Sequence, residues 1–138
     1  MSEIDYTLSP IGFLHSSLTS REEAPNQGYA GAPNAWFEVN EAVASGLDRL
    51  AAGDEIFLFT WLHQADRTVL KVHPQSDVRN PLTGVFATRS PDRPNPIGLH
   101  RVTILAIDGR RLQVGPLEAI DGTPIVDIKP VLHLSTDA

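Results

Sequence analysis

The chain has 138 residues, 41% hydrophobic and 20% charged, with no cysteine and a net charge of −6. This describes one globular domain rather than a disordered segment, and the lack of cysteine excludes disulfides, thiolate catalysis and cysteine-bound zinc. No stretch approaches the roughly 18 consecutive apolar residues of a membrane span, and MSEIDYTLSP has neither a basic start nor an apolar core, so the protein is expected to be cytoplasmic and free of membranes.

In chain order, the apolar stretch 11–14 predicts a strand, and the polar, Pro- and Gly-containing stretch 16–33 a long loop. Trp36, Phe37 and Val39 predict a second strand. Asn40 suits the N-cap of a helix over 41–52, where Val43, Leu47 and Leu50 recur at helical spacing and Gly53 marks the stop. EIFLFTWLH, 55–63, is almost continuously apolar, the pattern of a strand buried on both faces, with 68–73 as its antiparallel partner. Further strands are predicted at 83–88 and at 100–107, the latter with Val102 and Ile104 on one face. Asp108-Gly109 predicts a type I′ hairpin returning along 111–114. A turn at Asp121-Gly122-Thr123-Pro124 leads to a last strand over 125–132. Strands do not alternate with helices, so the expected fold is mainly β: a small barrel-like domain with one short helix and long loops.

Several chemistries are excluded by motif. No Gly-Lys pair exists for a phosphate loop, no two glycines are separated by one residue as a Rossmann site requires, and no G-x-S-x-G elbow occurs. His15, His63, His73, His100 and His133 never fall at i, i+4 on a helix, so no metal site is expected and the histidines read as surface or satisfied core residues. His63 stands apart because it ends the most apolar strand, where a side chain can face a cleft.

Charge is unevenly distributed. Residues 67–111 carry eight cations against three acids, a local balance of +5, and the remainder carries −11. The basic segment is either a cationic surface or a solvated mixture of charges.

Within it lies ATRSPDRPNPIGLH, 87–100. Pro91, Pro94 and Pro96 fix their own φ and hold Ser90, Arg93 and Asn95 extended. The loop is therefore stiff, with little entropy to lose when a ligand binds. Arg89 and Arg93 offer planar forks for a carboxylate or phosphate, and Gly98 permits either close backbone approach or positive φ. The reading is a rigid cationic cradle or a rigid crossover with internally paired arginines. A second constellation, VGPLEAIDGTPIVDIKP, places Glu118, Asp121 and Asp127 within ten residues. Asp121 suits its own turn. Asp127 interrupts an apolar run, and is either paired with an arginine of the proline loop or placed for chemistry.

GVFATRSPDRPNPIGL, 84–99, and DGTPIVDIKP, 121–130, resemble in order and spacing the two signature segments of the TsaA-like, or TrmO-type, family. The resemblance runs from Ile11 to about Leu132. It implies a compact, non-Rossmann barrel that binds S-adenosylmethionine as a homodimer, with the cofactor near the subunit interface, and that methylates N6 of threonylcarbamoyladenosine in tRNA. The family's cofactor contacts fall here on Arg89 and Leu99, on His63 and Gln64, and on Gly115, Pro116, Leu117 and Glu118. A family Pro-Arg-Gln reads Pro25-Asn26-Gln27 in this chain. Arg93 and Asn95 are candidate substrate contacts, and Asp127 or Asp121 a candidate acceptor for the proton that the methylated amine sheds. The expected organisation is one domain, 1–138, without the C-terminal extension common in tRNA-methylating relatives. Two other readings are a methyltransferase for a small molecule and a non-catalytic S-adenosylmethionine-binding module.

Overall fold

The computed structural model describes residues 6–24 and 31–133. Eight strands form: β1 (Gly12–His15), β2 (Ala35–Val39), β3 (Glu55–Trp61), β4 (Lys71–Val72), β5 (Thr83–Gly84), β6 (Ile97–Asp108), β7 (Arg111–Gly115) and β8 (Pro124–Pro130). Six of them close into an antiparallel barrel in the order β1-β2-β7-β6-β3-β8, while β4 and β5 pair outside it. Closure leaves the barrel without a free sheet edge along most of its wall.

Alternation of side chains across a strand decides which residues fill the interior. In β3, Ile56, Leu58 and Thr60 point inward, and in β6 Gly98, His100, Val102 and Ile104 do so. Phe37, Leu112, Val114, Leu14 and Ile125 complete a core in which each is fully buried. The segment 116–123 joins β7 to β8 at the end where β3 finishes and β6 begins, and Leu117, Ala119 and Ile120 are buried beneath it. Leu117 N–H donates to Pro33 O (3.0 Å) and Gly122 N–H to Leu14 O (2.8 Å), so this segment is fastened to the ends of β2 and β1.

The mainly β barrel agrees with the expectation, and six local expectations are corrected. The helix over 41–52 is a 3-10 helix over Glu41–Leu47. Only Leu47 in it is buried and Val43 is exposed, so no apolar stripe anchors an α-helix. Ser45 and Gly46 weaken the interior, and Arg49 at φ 77° breaks the path before Gly53. Asn40 does not cap the helix through its side chain, because its Nδ2 donates to Pro10 O (2.9 Å). β3 is not buried on both faces: its outer residues Glu55, Phe57, Phe59 and Trp61 are half-buried.

Nor is 68–73 the partner of β3, whose neighbours are β6 and β8; Lys71–Val72 pairs with Thr83–Gly84 instead. The strand expected over 83–88 turns into a 3-10 helix at Val85–Ala87. The hairpin after β6 pairs Asp108 with Arg111, so its central residues are Gly109 and Arg110. Only Gly109 has positive φ there (59°), the pattern of a type II′ turn with glycine leading.

β6 is the longest strand and begins inside the proline-rich stretch, at Ile97. β3 pairs with it from Ile97 to Thr103, but β7 pairs with it only from Thr103 to Asp108. Between Ile97 and Val102 the edge of β6 that faces away from β3 therefore has no strand partner, and the barrel wall opens there.

Candidate functional site

The opening in the wall is a groove of about 430 Å³, lined on the β6 side by Leu99, His100 and Arg101, and across it by Arg89, Gly115, Pro116 and Glu118. Five residues from two separate sequence segments thus converge on one place: Arg89 and Leu99 from the two ends of the proline loop, and Gly115, Pro116 and Glu118. Each is held there by its local chain. Leu99 faces outward by strand parity. Gly115 closes β7 against the side chain of Asn34, which a Cβ at this position would overlap. The Gly115-Pro116 peptide is cis.

Arg89 is exposed and makes no hydrogen bond or ion pair among the described residues. This sets it apart from most cations of the basic segment. Arg79 pairs with Asp77 (2.7 Å), Arg101 with Glu55 (3.1 Å) and Arg110 with Glu38 (2.8 Å). Arg111 lies 3.7 Å over the Trp36 ring and Arg67 5.1 Å over Trp61. The Arg101 guanidinium holds the Glu55 carboxyl below its ordinary range, by hydrogen bonding first and charge second. Three of the segment's eight cations are thus paired with acids and two stand over aromatic rings, while Arg89 is the groove guanidinium left uncommitted among the described residues.

Glu118 is the groove's partly buried acid. His100 Nδ1 lies 2.5 Å from Glu118 Oε1, and His100 Nε2 lies 2.7 Å from Thr60 Oγ1. Thr60 is fully buried and His100 5% exposed, so this chain of polar groups runs from the barrel interior to the groove. Glu118 Oε2 has no partner among the described residues. Gly98 is required by close approach rather than by positive φ: a Cβ there would overlap Thr60 Oγ1 and stand 2.6 Å from His100 Nε2.

Other sequence-predicted residues lie elsewhere. Leu117 is fully buried in the core, so its side chain does not line the groove. His63 and Gln64 are exposed beyond the end of β3 and are not brought to it. Pro25, Asn26 and Gln27 fall outside the described residues. Arg93 is neither a free fork nor a partner of Asp127: its Nη2 donates to Thr88 O (2.8 Å) and to Val85 O, fastening the proline loop to the 3-10 helix before it. Asn95 Oδ1 accepts from Arg67 Nη2 (3.1 Å), beside Trp61.

The two candidate proton acceptors are also outside the groove. Asp121 Oδ1 accepts from Ser16 N–H (3.0 Å), so it fastens the chain after β1 rather than serving its own turn as expected. Asp127 stands exposed on the outer face of β8, paired with Lys129 (3.2 Å) rather than with an arginine. Sequence reasoning missed Thr60 and His100 as site residues. Their signal was parity: His100 shares the face of Val102 and Ile104, and Thr60 that of Leu58, so both were polar residues at inward positions.

The family model of the tRNA-methyltransferase O N-terminal domain matches residues 13–137. The chain belongs to this family. Relatives covering nearly the same length include a probable S-adenosyl-L-methionine-binding protein of Methanothermobacter thermautotrophicus, 38% identical over 94% of this chain and 93% of its own. Another, from Archaeoglobus fulgidus, is an S-adenosyl-L-methionine-binding protein, 38% identical over 88% and 86%. Among solved structures, TrmO from Pseudomonas aeruginosa superposes with a TM-score of 0.73 at 29% identity, over 94% of this chain. A second TrmO structure gives 0.75 at 32% identity. The chain spans 57% and 58% of those two proteins, so the correspondence is to part of TrmO. Among the described residues no helix is long and apolar enough to cross a membrane.

Proposed function

We propose that the groove binds S-adenosylmethionine and that the protein is a methyltransferase acting on an adenosine of tRNA. The observation that carries this reading is the convergence of Arg89, Leu99, Gly115, Pro116 and Glu118 on the open edge of β6, in a chain whose relatives bear the names of S-adenosylmethionine-binding proteins.

The residues fit the cofactor's chemistry. A groove of about 430 Å³ is within the range of small-molecule sites. The uncommitted Arg89 fork suits the carboxylate of the methionine part. Glu118, through Oε2, accepts from an ammonium or a ribose hydroxyl. Leu99 and Pro116 offer apolar surface to the adenine, and the unpartnered edge of β6 offers backbone groups to its polar rim. When bound, the cofactor supplies an electrophilic methyl group, so the protein's main task is to hold the acceptor in line and dry. That task requires little acid–base machinery, in keeping with Asp121 and Asp127 both lying outside the groove.

The homodimer implied by the resemblance belongs to the same proposal. Its support is that His63 and Gln64, expected cofactor contacts, are not at the groove of their own chain, so a second copy is the natural source of those contacts. Light scattering at micromolar concentration should give twice the monomer mass.

The direct test is incubation with methyl-labelled S-adenosylmethionine and total tRNA, reading label in released nucleosides. A metabolite extract serves as the parallel arm, since the net charge of −6 and the locally paired arginines favour a small acceptor as the second reading. Label in tRNA with a steep salt dependence supports the first. Label only in the extract supports the second, and no binding of the cofactor at all sinks both.

A further inference from the structure

Thr60 and His100 lie outside both motif segments that carry the family resemblance, yet they form the most buried polar contact of the barrel. Three inward positions that could hold apolar side chains are given to it: threonine at 60, histidine at 100, and at 98 a glycine whose Cβ would collide with both. Polar groups inside a barrel cost stability unless each finds a partner. Here they do, in one specific way. A carboxylate only accepts, so Nδ1 carries the proton donated to Glu118 Oε1 at 2.5 Å. In the neutral ring Nε2 accepts from the Thr60 hydroxyl at 2.7 Å, and no donor of this Thr60–His100–Glu118 chain is left unmatched.

The consequence is directional. Thr60 fixes the ring and the ring fixes Oε1, so Oε2, without a partner among the described residues on a side chain that lines the groove, is an acceptor whose orientation no longer has to be found on binding. We propose that Thr60 and His100 are positioning residues that preorganise Glu118 as the acceptor for a hydrogen-bond donor of the ligand. This rests on the reading of the groove as an S-adenosylmethionine site and deepens it, since neither residue lies within reach of that reading by sequence motif.

The test is a double-mutant cycle on S-adenosylmethionine affinity, measured by calorimetry on the full chain. His100→Leu should weaken binding about tenfold, and His100→Asn, which keeps an N–H near the Nδ1 position, should recover most of that loss. In a Glu118→Gln background the step from His100 to Leu should cost less than about twofold, because the residue acts through the carboxylate. Equal losses in the two backgrounds, or no recovery by Asn, would overturn the positioning role while leaving the cofactor site intact. Failure of the unaltered protein to bind would overturn the site itself and the positioning role with it. Should His100→Leu not fold, Thr60→Val removes the hydroxyl at nearly constant volume and should weaken binding in the same Glu118-dependent way. Nitrogen-15 NMR of the unliganded protein gives an independent reading: His100 should be protonated at Nδ1, and the opposite tautomer would contradict the chain of bonds.

Discussion

The two halves of β6 share one strand and one periodicity, but they do different things. From Thr103 to Asp108 it is paired with β7, and Ile104 fills the core. From Ile97 to Val102 only β3 pairs with it, and the inward positions are Gly98 and His100 before Val102 rejoins the core. The second half is wall and the first is site. The difference shows how a barrel wall opens into a groove without a separate domain: β7 ends early, and the uncovered stretch of β6 carries a glycine and a histidine at inward positions.

This contrast can be broken at either half. The largest effect is expected in the wall: Ile104→Ala opens a cavity among fully buried neighbours and should lower unfolding stability by about 3 kcal/mol in urea titration, with cofactor affinity little changed in the folded fraction. In the site half, Gly98→Ala forces a Cβ against Thr60 and His100 and should cost about 2 kcal/mol of stability. Unlike the wall variant, it should also weaken cofactor binding, because Glu118 loses its support. If the two variants behaved alike, the division of β6 would be wrong.

Arg89→Ala inverts the pattern. Its guanidinium makes no hydrogen bond or ion pair among the described residues, so stability should stay within about 0.5 kcal/mol, while the lost charge-assisted bonds should weaken S-adenosylmethionine binding about tenfold or more. Asp127→Asn is expected to change methylation less than about twofold, since a surface ion pair contributes little. Smallest of all is a pH effect at the groove rim. Arg101 depresses the Glu55 carboxyl, so the stability from this pair is complete above the ordinary carboxylate range and fades as pH falls through the lowered value. Arg101→Gln should move the Glu55 titration upward in carbon-13 NMR.

Much of the wall was legible because alternation is a local property. Val102 and Ile104 on one face, and the apolar run from Ile56 to Phe59, placed β6 and β3 before any pairing was known. Their partners were not legible, since register depends on closure: nothing local distinguishes Lys71–Val72 from a neighbour of β3. The 3-10 helix misled because Val43, Leu47 and Leu50 keep helical spacing while only Leu47 is buried. At the site, Arg89, Leu99 and Glu118 stood in recognisable motifs. Arg93 stood in one too, but its role in binding the Val85 and Thr88 carbonyls appears only when the loop has folded back on itself. His100 needed two facts together, strand parity and the nearness of Glu118, and the second is a matter of three dimensions.

Leu117 and Glu118 are consecutive, one sealed in the core and the other facing the groove. Whatever grips the carboxylate also seats the leucine and its N–H bond to Pro33. Under the proposed binding mode ligand and barrel are thermodynamically linked, so a saturating cofactor should raise the melting temperature and slow hydrogen exchange at the Leu117 amide. In that binding mode the short crosspiece between β7 and β8 would be a latch that the ligand itself holds shut.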